Sequence, residues 1–168
     1  MGKRAVTPLG IYAYVLAAAV VILDQLSKWW VLDVVHLDLK GQVPVLPFFR
    51  LTAVMNRGVS FGLLRADTPT GRWVLVAAAL VVVIALVAWV RKADRPLFAT
   101  ALGLVIGGAL GNNLIDRARL GQVIDFLDFS GLWFPWVFNV ADSAITIGVI
   151  LLLWDSFFPA KTPAEKTA

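Results

Sequence analysis

The sequence predicts an all-α membrane protein with four transmembrane helices and a small β-rich extramembrane segment between the first and second helices. Of its 168 residues, 60% are hydrophobic and only 15% are charged, whereas a soluble domain carries about 25% charged residues. Four stretches are also long and apolar enough to cross a bilayer, which takes about 20 residues. We expect residues 1–168 to form a single integral membrane domain.

The predicted spans differ in polar content. They cover about residues 11–32, 73–90, 96–115 and 132–158. The second span has no polar residue and is therefore predicted to be a scaffold helix without chemistry. The first span carries Asp24, Gln25, Ser27 and Lys28 in its second half. That half is too polar for a cleaved signal peptide, so we expect this span to remain in the protein.

The segment at 33–72 joins the first two spans and is rich in Pro, Gly, Val and Phe. Its 43–51 portion is typical of short strands rather than of a helix. Pro44 and Pro47 would confine these strands to the edge of a sheet, because proline donates no ladder hydrogen bond. We therefore expect a small sheet that lies on the bilayer surface.

Four spans place both termini on the same side of the membrane. The 15 basic residues divide almost evenly between the two sides, but those on the terminal side are packed into short flanks and the 91–95 turn. Cytoplasmic flanks are the ones that concentrate Lys and Arg. The density of charge therefore favours cytoplasmic termini and an outer position for the 33–72 segment.

Composition excludes several kinds of chemistry. The chain has no cysteine and one histidine, His36, which leaves no basis for a Cys nucleophile, a Ser-His-Asp triad or a multi-His metal site. The net charge of +4 suits contact with anionic lipid. The basic residues are scattered rather than gathered in a stripe, which disfavours binding to nucleic acid.

Two aspartates stand in apolar sequence near the fourth span. A carboxylate at the edge of the hydrocarbon layer costs a few kcal/mol, so Asp125 and Asp142 should face a protein interior or a wet cavity. Alternation along 123–129 would bury Asp125 and leave Asp128 in solvent. Asn139 and Asp142 are three residues apart and share a helix face. The pair of aspartates suggests acid–base chemistry at a membrane surface.

The other polar motifs have ordinary structural interpretations when each is taken alone. Lys28 could end a helix and extend its amine to the interface. Asn56 and Gly58 are typical of a turn. Asp116 and Arg117 are adjacent, cannot face each other on a helix, and would each need a separate partner.

Taken together, however, five motifs resemble those of the lipoprotein signal peptidases (signal peptidase II), a family of bacterial intramembrane aspartic peptidases. The resemblance covers roughly residues 20–158, and five motifs in the same order are highly specific. The residues that carry it are Asp24, Gln25 and Lys28; Asn56, Gly58, Ser60 and Phe61; Asn113, Asp116 and Arg117; Asp125; and Asn139 with Asp142.

The resemblance implies a role for each motif. The family's catalytic aspartates correspond to Asp125 and Asp142. Two close carboxylates cannot both ionise, so one would act as base and the other as acid. We expect substrate-binding roles for Asn56, Gly58, Asn113, Asp116, Arg117 and Asn139, and support of the site by Asp24, Gln25 and Lys28.

The resemblance also implies a substrate and a setting. The substrate would be a diacylglyceryl-modified prolipoprotein whose signal peptide is cut just before the lipidated cysteine. We expect a monomer that contacts this substrate and membrane lipid, with no cofactor, metal or nucleic acid. The setting would be the bacterial cytoplasmic (inner) membrane, with the active site toward the outer face and the 33–72 segment as a candidate lid.

One motif departs from the family pattern. Counting back from Asp116, the family asparagine falls on Asn113, and Gly111 is then one residue too far away. Either Asn112 replaces the usual glycine, or the helix holds one extra residue as a π-bulge. In a regular helix Asn113 shares a face with Asp116, so Asn113 would line the site.

Two other functions stay open at this point. A small transporter or ion-path subunit would also carry polar residues inside the membrane. It would need them along the full depth, however, whereas these cluster toward one face. A serine–lysine hydrolase could use Ser27 or Ser60 with Lys28.

Overall fold

Four membrane-length helices dominate the computed structural model, which describes residues 6–58 and 68–158. Within those residues the candidate spans are Pro8–Val34, Pro69–Val90, Pro96–Leu120 and Val140–Phe157. A small four-stranded antiparallel sheet accompanies them. The predicted fold class is therefore confirmed.

The first two membrane helices start at cap signals that the sequence contains. Helix α1 (Pro8–Trp29) follows Thr7, whose hydroxyl accepts a 3.0 Å hydrogen bond from the Gly10 amide. Helix α3 (Pro69–Val90) follows Thr68 in the same way. In both, proline occupies the first turn, where its missing N–H is not needed.

The remaining elements extend these spans or link them. A π-helical turn, Trp30–Val34, continues α1 and is followed by the short helix α2 (Leu37–Lys40). Helix α4 (Pro96–Ala109) continues as a π-helical segment, Leu110–Arg117, and ends in α5 (Ala118–Leu120). The fourth span is α6 (Val140–Phe157).

Helix α4 is the centre of the bundle, and small residues let its neighbours approach closely. A Cβ added at Gly107 would lie 2.7 Å from the backbone oxygen of Ala17 on α1. A Cβ added at Gly148 of α6 would lie 2.7 Å from the backbone oxygen of Ala101 on α4. Real Cβ contacts are longer than these, so the α1–α4–α6 packing depends on glycine at both positions.

The sheet has the order β1–β2–β3–β4. Its strands are β1 (Gln42–Leu46), β2 (Phe49–Asn56), β3 (Val123–Asp128) and β4 (Val137–Phe138). The strands expected between the first two spans are present, and Pro44 lies in an edge strand as predicted. Half of the sheet nevertheless comes from the region before α6, because β2 recruits β3 as its partner.

The fourth span is shorter than predicted. The expected start near residue 132 is wrong, because Leu132 ends a 3₁₀ turn and Val137–Phe138 forms a strand. The helix begins only after Asn139, whose side chain accepts from the amide of Asp142 in a capping box. The intervening apolar residues therefore lie outside the helical span.

Candidate active site

Asn139 and Asp142 form reciprocal hydrogen bonds at the first turn of α6. The Asp142 amide donates to Asn139 Oδ1 at 2.9 Å, and the Asn139 amide donates to Asp142 Oδ2 at 3.2 Å. This reciprocal capping satisfies two helix-end donors at once. A carboxylate is also favoured beside the positive end of the helix dipole. The cap therefore fixes where the Asp142 carboxylate points.

Asp125 reaches the same place from the sheet. It lies on β3 opposite Val54 of β2, and Asn56 follows two residues later on β2. The Asn56 side-chain amide donates to Asp125 Oδ2 at 3.0 Å, and its own oxygen accepts from the Gly58 amide at 2.9 Å. The Asn56 side chain, which is itself held by the Gly58 amide, therefore fixes one side of the Asp125 carboxylate.

Asn139 connects the two aspartates. Its side-chain Nδ2 donates to Asp125 Oδ1 at 2.7 Å, while its backbone amide holds Asp142. Asn139 is fully buried. One side chain thus brings together carboxylates from a strand and a helix.

Asn112 holds the other side of Asp142. Its Nδ2 donates to Asp142 Oδ1 at 2.8 Å, and its Oδ1 accepts from Lys28 Nζ at 2.8 Å and from Asn139 Nδ2 at 3.1 Å. An ammonium group can only donate. Lys28 therefore determines which end of the Asn112 amide faces Asp142.

The regular helix expected around Asn113 is wrong. Leu110–Arg117 is π-helical, so its backbone hydrogen bonds join residues five apart instead of the four that the pattern assumes. The extra residue brings Asn112 to the aspartates, whereas Asn113 accepts from Arg117 Nε at 3.3 Å. The π-bulge alternative thus describes the segment, and Asn112 takes the position expected for Asn113.

Lys28 is buried in a cluster of carboxylates instead of reaching toward the interface. Its Nζ lies 2.7 Å from Asp24 Oδ2 and 2.7 Å from Asp116 Oδ2, and its side chain is 3% exposed. Gln25 Nε2 adds a 2.8 Å bond to Asp116 Oδ1, and Asp24 Oδ1 accepts from the Ala141 amide at 3.1 Å. The cluster ties α1 to the π-helical segment and to the first turn of α6.

Arg117 ties the end of β2 to the helices. Its guanidinium donates to the Gly58 carbonyl at 2.6 Å and to the Arg57 carbonyl at 3.2 Å. Asp116 and Arg117 thus have separate partners, as their adjacency requires. Arg117 therefore holds the turn that positions Asn56.

A cavity of about 450 Å³ opens at the aspartates. It is lined by Asn56, Asp125, Phe134, Trp136, Val137, Phe138, Asp142, Ser143, Ile145, Thr146 and Ile147. Of the residues expected to bind substrate, Asn56 lies on its wall. Asn139, Asp116 and Arg117 are 0%, 2% and 4% exposed, and Gly58 is buried too. None of these four lines the cavity wall; they hold the aspartates, the Lys28 cluster and the turn. A role in binding substrate stays a prediction for them.

The electrostatics of the cavity favour a carboxyl that keeps a proton near neutral pH. Burial first, and then the charge of Asp142, raise the pKa of Asp125 to about 7. Hydrogen bonds from Asn56 and Asn139 oppose this rise. Two such carboxyls can share one proton, which then belongs to the pair.

Asp128 differs from the solvated residue that the alternation predicted. It is 5% exposed and accepts from the Thr52 hydroxyl at 2.6 Å and from the Ser130 amide at 2.9 Å. Arg50 lies 3.7 Å away. Asp128 is buried against β2 rather than facing solvent, and its contacts with Thr52 and Arg50 of β2 stabilise the sheet.

Among the described residues, Ser27 and Lys28 are not placed for the serine–lysine alternative. The Ser27 hydroxyl donates to the Asp24 carbonyl at 2.7 Å, and two carboxylates and an amide surround the amine of Lys28. Ser60 and Phe61 of the second motif lie outside the described residues. A charge-paired lysine is a poor base, so Ser27 has no activating partner.

Sequence reasoning missed the cavity walls. Phe134, Trp136 and Phe138 fall within the predicted 132–158 span, and nothing in the local pattern separates them from it. Thr146 had a signal, because it lies four residues after Asp142 and so shares its helix face.

Comparison with known proteins agrees with the five motifs. The family model for Signal peptidase (SPase) II matches residues 16–158. The lipoprotein signal peptidase of Caulobacter vibrioides is 53% identical over 157 residues, 94% of this chain and 93% of the relative. That of Rhizorhabdus wittichii is 46% identical over 162 residues, 94% of this chain and 92% of the relative.

Solved structures of membrane enzymes resemble the fold of this chain. A bacterial membrane enzyme solved by the in meso method superposes with a TM-score of 0.75 at 29% identity, over 96% of this chain and 98% of the other. A second such structure superposes with a TM-score of 0.74 at 31% identity, over 95% and 100%. With a family match over most of its length and close relatives across nearly all of it, the chain belongs to the signal peptidase II family.

Proposed function

We propose that this protein is an aspartic endopeptidase that removes the signal peptide from lipid-modified prolipoproteins at the outer face of the bacterial cytoplasmic membrane. Membership of the family makes it a signal peptidase, and the relatives are lipoprotein signal peptidases. The aspartic mechanism rests on one observation. Asp125 and Asp142 are held by the same buried Asn139 at a cavity beside the first turns of the fourth span.

The chemistry follows from one proton shared by two carboxyls. The ionised aspartate takes a proton from a water molecule, which attacks the carbonyl carbon of the scissile peptide bond. The protonated aspartate supplies a proton to the leaving nitrogen. Asn56, Asn112 and Asn139 hold both carboxylates in place through side-chain amides. The proton belongs to the pair, so neither residue has a fixed role.

The transporter alternative is not favoured, because the relatives across nearly the whole chain are peptidases. The direct test is incubation of the purified protein in detergent with a lipidated prolipoprotein. We expect cleavage just before the lipidated cysteine, no requirement for added metal, and no inhibition by a serine-reactive reagent. Inhibition by that reagent would instead support a serine mechanism.

The proposed mechanism predicts loss of activity at alkaline pH. The pKa of Asp125 is about 7. As pH rises through that value, the pair loses the proton needed by the leaving nitrogen. We expect kcat/KM to fall about tenfold per pH unit above about pH 7, the behaviour of a single essential acid. Thermal unfolding measured over the same range separates this loss from denaturation, and a flat profile across it would contradict the shared proton.

The proposed orientation predicts which side of the membrane is labelled. The 59–67 stretch, including Asp67, lies outside the described residues, so Asp38 is the better outer probe because it is exposed. Ala93 is buried and would resist labelling on either side, whereas its neighbour Asp94 is exposed. In spheroplasts an impermeant thiol reagent is expected to label Asp38→Cys and spare Asp94→Cys.

The chain has no cysteine of its own, so background labelling is excluded. Both variants should label after the membrane is opened by detergent. The opposite pattern in intact spheroplasts would reverse the proposed orientation and place the aspartates on the cytoplasmic side.

A further inference from the structure

A second cavity opens where the second span begins and the third span ends. It has a volume of about 340 Å³ and shares no lining residue with the cavity at the aspartates. We call it the basic cavity, after the polar residues of its wall, which are Arg57, Thr68, Arg72 and Gln122.

The wall of the basic cavity carries two positive charges and no negative one. Arg57 is exposed, and its Nε donates to the neutral side chain of Gln122 at 3.4 Å. Arg72 has an Nε that is buried without a hydrogen-bond partner among the described residues. No carboxylate of the described residues forms an ion pair with either arginine. Both charges are therefore left for an anion from outside the protein.

Arg72 is held in place before any anion binds. Its Nη2 donates to the Ala118 carbonyl at 2.6 Å, and its guanidinium lies 5.1 Å from the ring centre of Trp73. Gly121 has a φ of 77°, and a Cβ added there would lie 3.2 Å from Arg72 Nη1. A side chain fixed in this way loses little freedom when it binds a ligand.

The start of α3 adds a partial positive charge to the same cavity. This helix is 22 residues long, and both its cap Thr68 and its first residue Pro69 line the cavity. The N-terminal end of a helix has unpaired amide groups and favours anions such as phosphate. Guanidinium groups bind phosphate through two parallel N–H donors. The combination of two arginines and a helix start therefore suits a phosphate group.

The basic cavity lies at the level of the membrane where lipid headgroups are found. Pro69 begins the second candidate span and Leu120 ends the third, and both residues line the cavity. Trp73 is 54% exposed one turn into α3, and exposed tryptophan is typical of the membrane–water interface. The phosphate most abundant at this level belongs to the phospholipids of the bilayer.

We propose that the basic cavity binds the phosphate group of an anionic membrane phospholipid. This inference does not depend on the proposed function. It does connect the lipid to the aspartates, because Arg57 directly follows Asn56, which donates to Asp125 at 3.0 Å. A lipid bound at Arg57 braces the turn that Arg117 holds from the other side through the Arg57 carbonyl at 3.2 Å.

The test follows thermal unfolding of the full protein in neutral detergent during titration with short-chain phosphatidylglycerol. A ligand that binds only the folded protein raises its Tm, and we expect a rise of about 5 °C at saturating lipid. Arg57→Gln is expected to weaken the affinity obtained from this titration about fivefold. The matched control is Arg119→Gln, which removes an exposed arginine near the end of the third span but outside the cavity and should keep the wild-type affinity.

Two further titrations distinguish the source of the phosphate. Short-chain phosphatidylcholine and inorganic phosphate are each expected to raise the Tm much less than phosphatidylglycerol does. An equal rise with inorganic phosphate would assign the cavity to a free anion, and an equal rise with phosphatidylcholine would show that headgroup charge is irrelevant. Either result overturns the proposal, as does a wild-type response in Arg57→Gln or the absence of any response in the wild type.

Discussion

Asp125→Asn and Asp142→Asn are each expected to lower cleavage of a lipidated prolipoprotein by about 10³-fold or more, while insertion into the membrane stays normal. Asparagine keeps the shape of the side chain but cannot take part in the shared proton. The double variant should be little worse than either single variant, because the two residues act as one unit. The measurement is the initial rate of cleavage at equal protein concentration.

The control for this pair is Asp38→Asn, which neutralises an exposed carboxylate before the sheet. It is expected to keep activity near that of the wild type. Asp128→Asn is a poorer control, because Asp128 is buried and accepts from Thr52 and Ser130. Substantial turnover by either Asp125→Asn or Asp142→Asn would remove that residue from the catalytic pair.

Asn112→Ala is expected to lower kcat about 10- to 100-fold, since it removes a bond to Asp142 and leaves the amine of Lys28 short of a partner. The loss of such a buried bond costs about 1–3 kcal/mol. The matched control is Asn113→Ala, the same change one residue along the same π-helical segment. Asn113 accepts from Arg117 at 3.3 Å, so its removal is expected to have a milder effect.

Thermal unfolding of both asparagine variants shows whether a loss of activity is a loss of fold. Asn112→Ser is a useful third variant, because a hydroxyl can restore part of the hydrogen bonding without the full amide. If Asn113→Ala proves more damaging to turnover at equal stability, Asn112 is not the side chain that positions Asp142.

Much of the fold could be predicted from the sequence because the bilayer imposes a simple rule. A span needs about 20 apolar residues, so its presence can be inferred from one local stretch. Its limits are less certain. Residues 132–138 are as apolar as the span that follows, yet they run from the end of a 3₁₀ turn through irregular chain to a short strand. The cap formed by Asn139 and Asp142 decides the start of α6.

The sheet could be predicted only in part. The 43–51 portion is typical of strands, but a strand is stable only with a partner, and the partner of β2 is β3. Alternation along 123–129 predicts a buried Asp125 and a solvated Asp128, but it does not show which strand pairs with this stretch. The burial of Asp128 follows from the same long-range pairing.

The sequence by itself determined four spans, a chain without cysteine chemistry, and two aspartates in apolar sequence near the fourth span, because each depends on residue type or on spacing along one segment. The tertiary structure alone decided which amides hold those aspartates. Lys28 and Asn112 are 84 residues apart, and the π-helical turn moved the contact from Asn113 to Asn112. Partners so distant in the chain are selected by packing of whole helices, which no local pattern records.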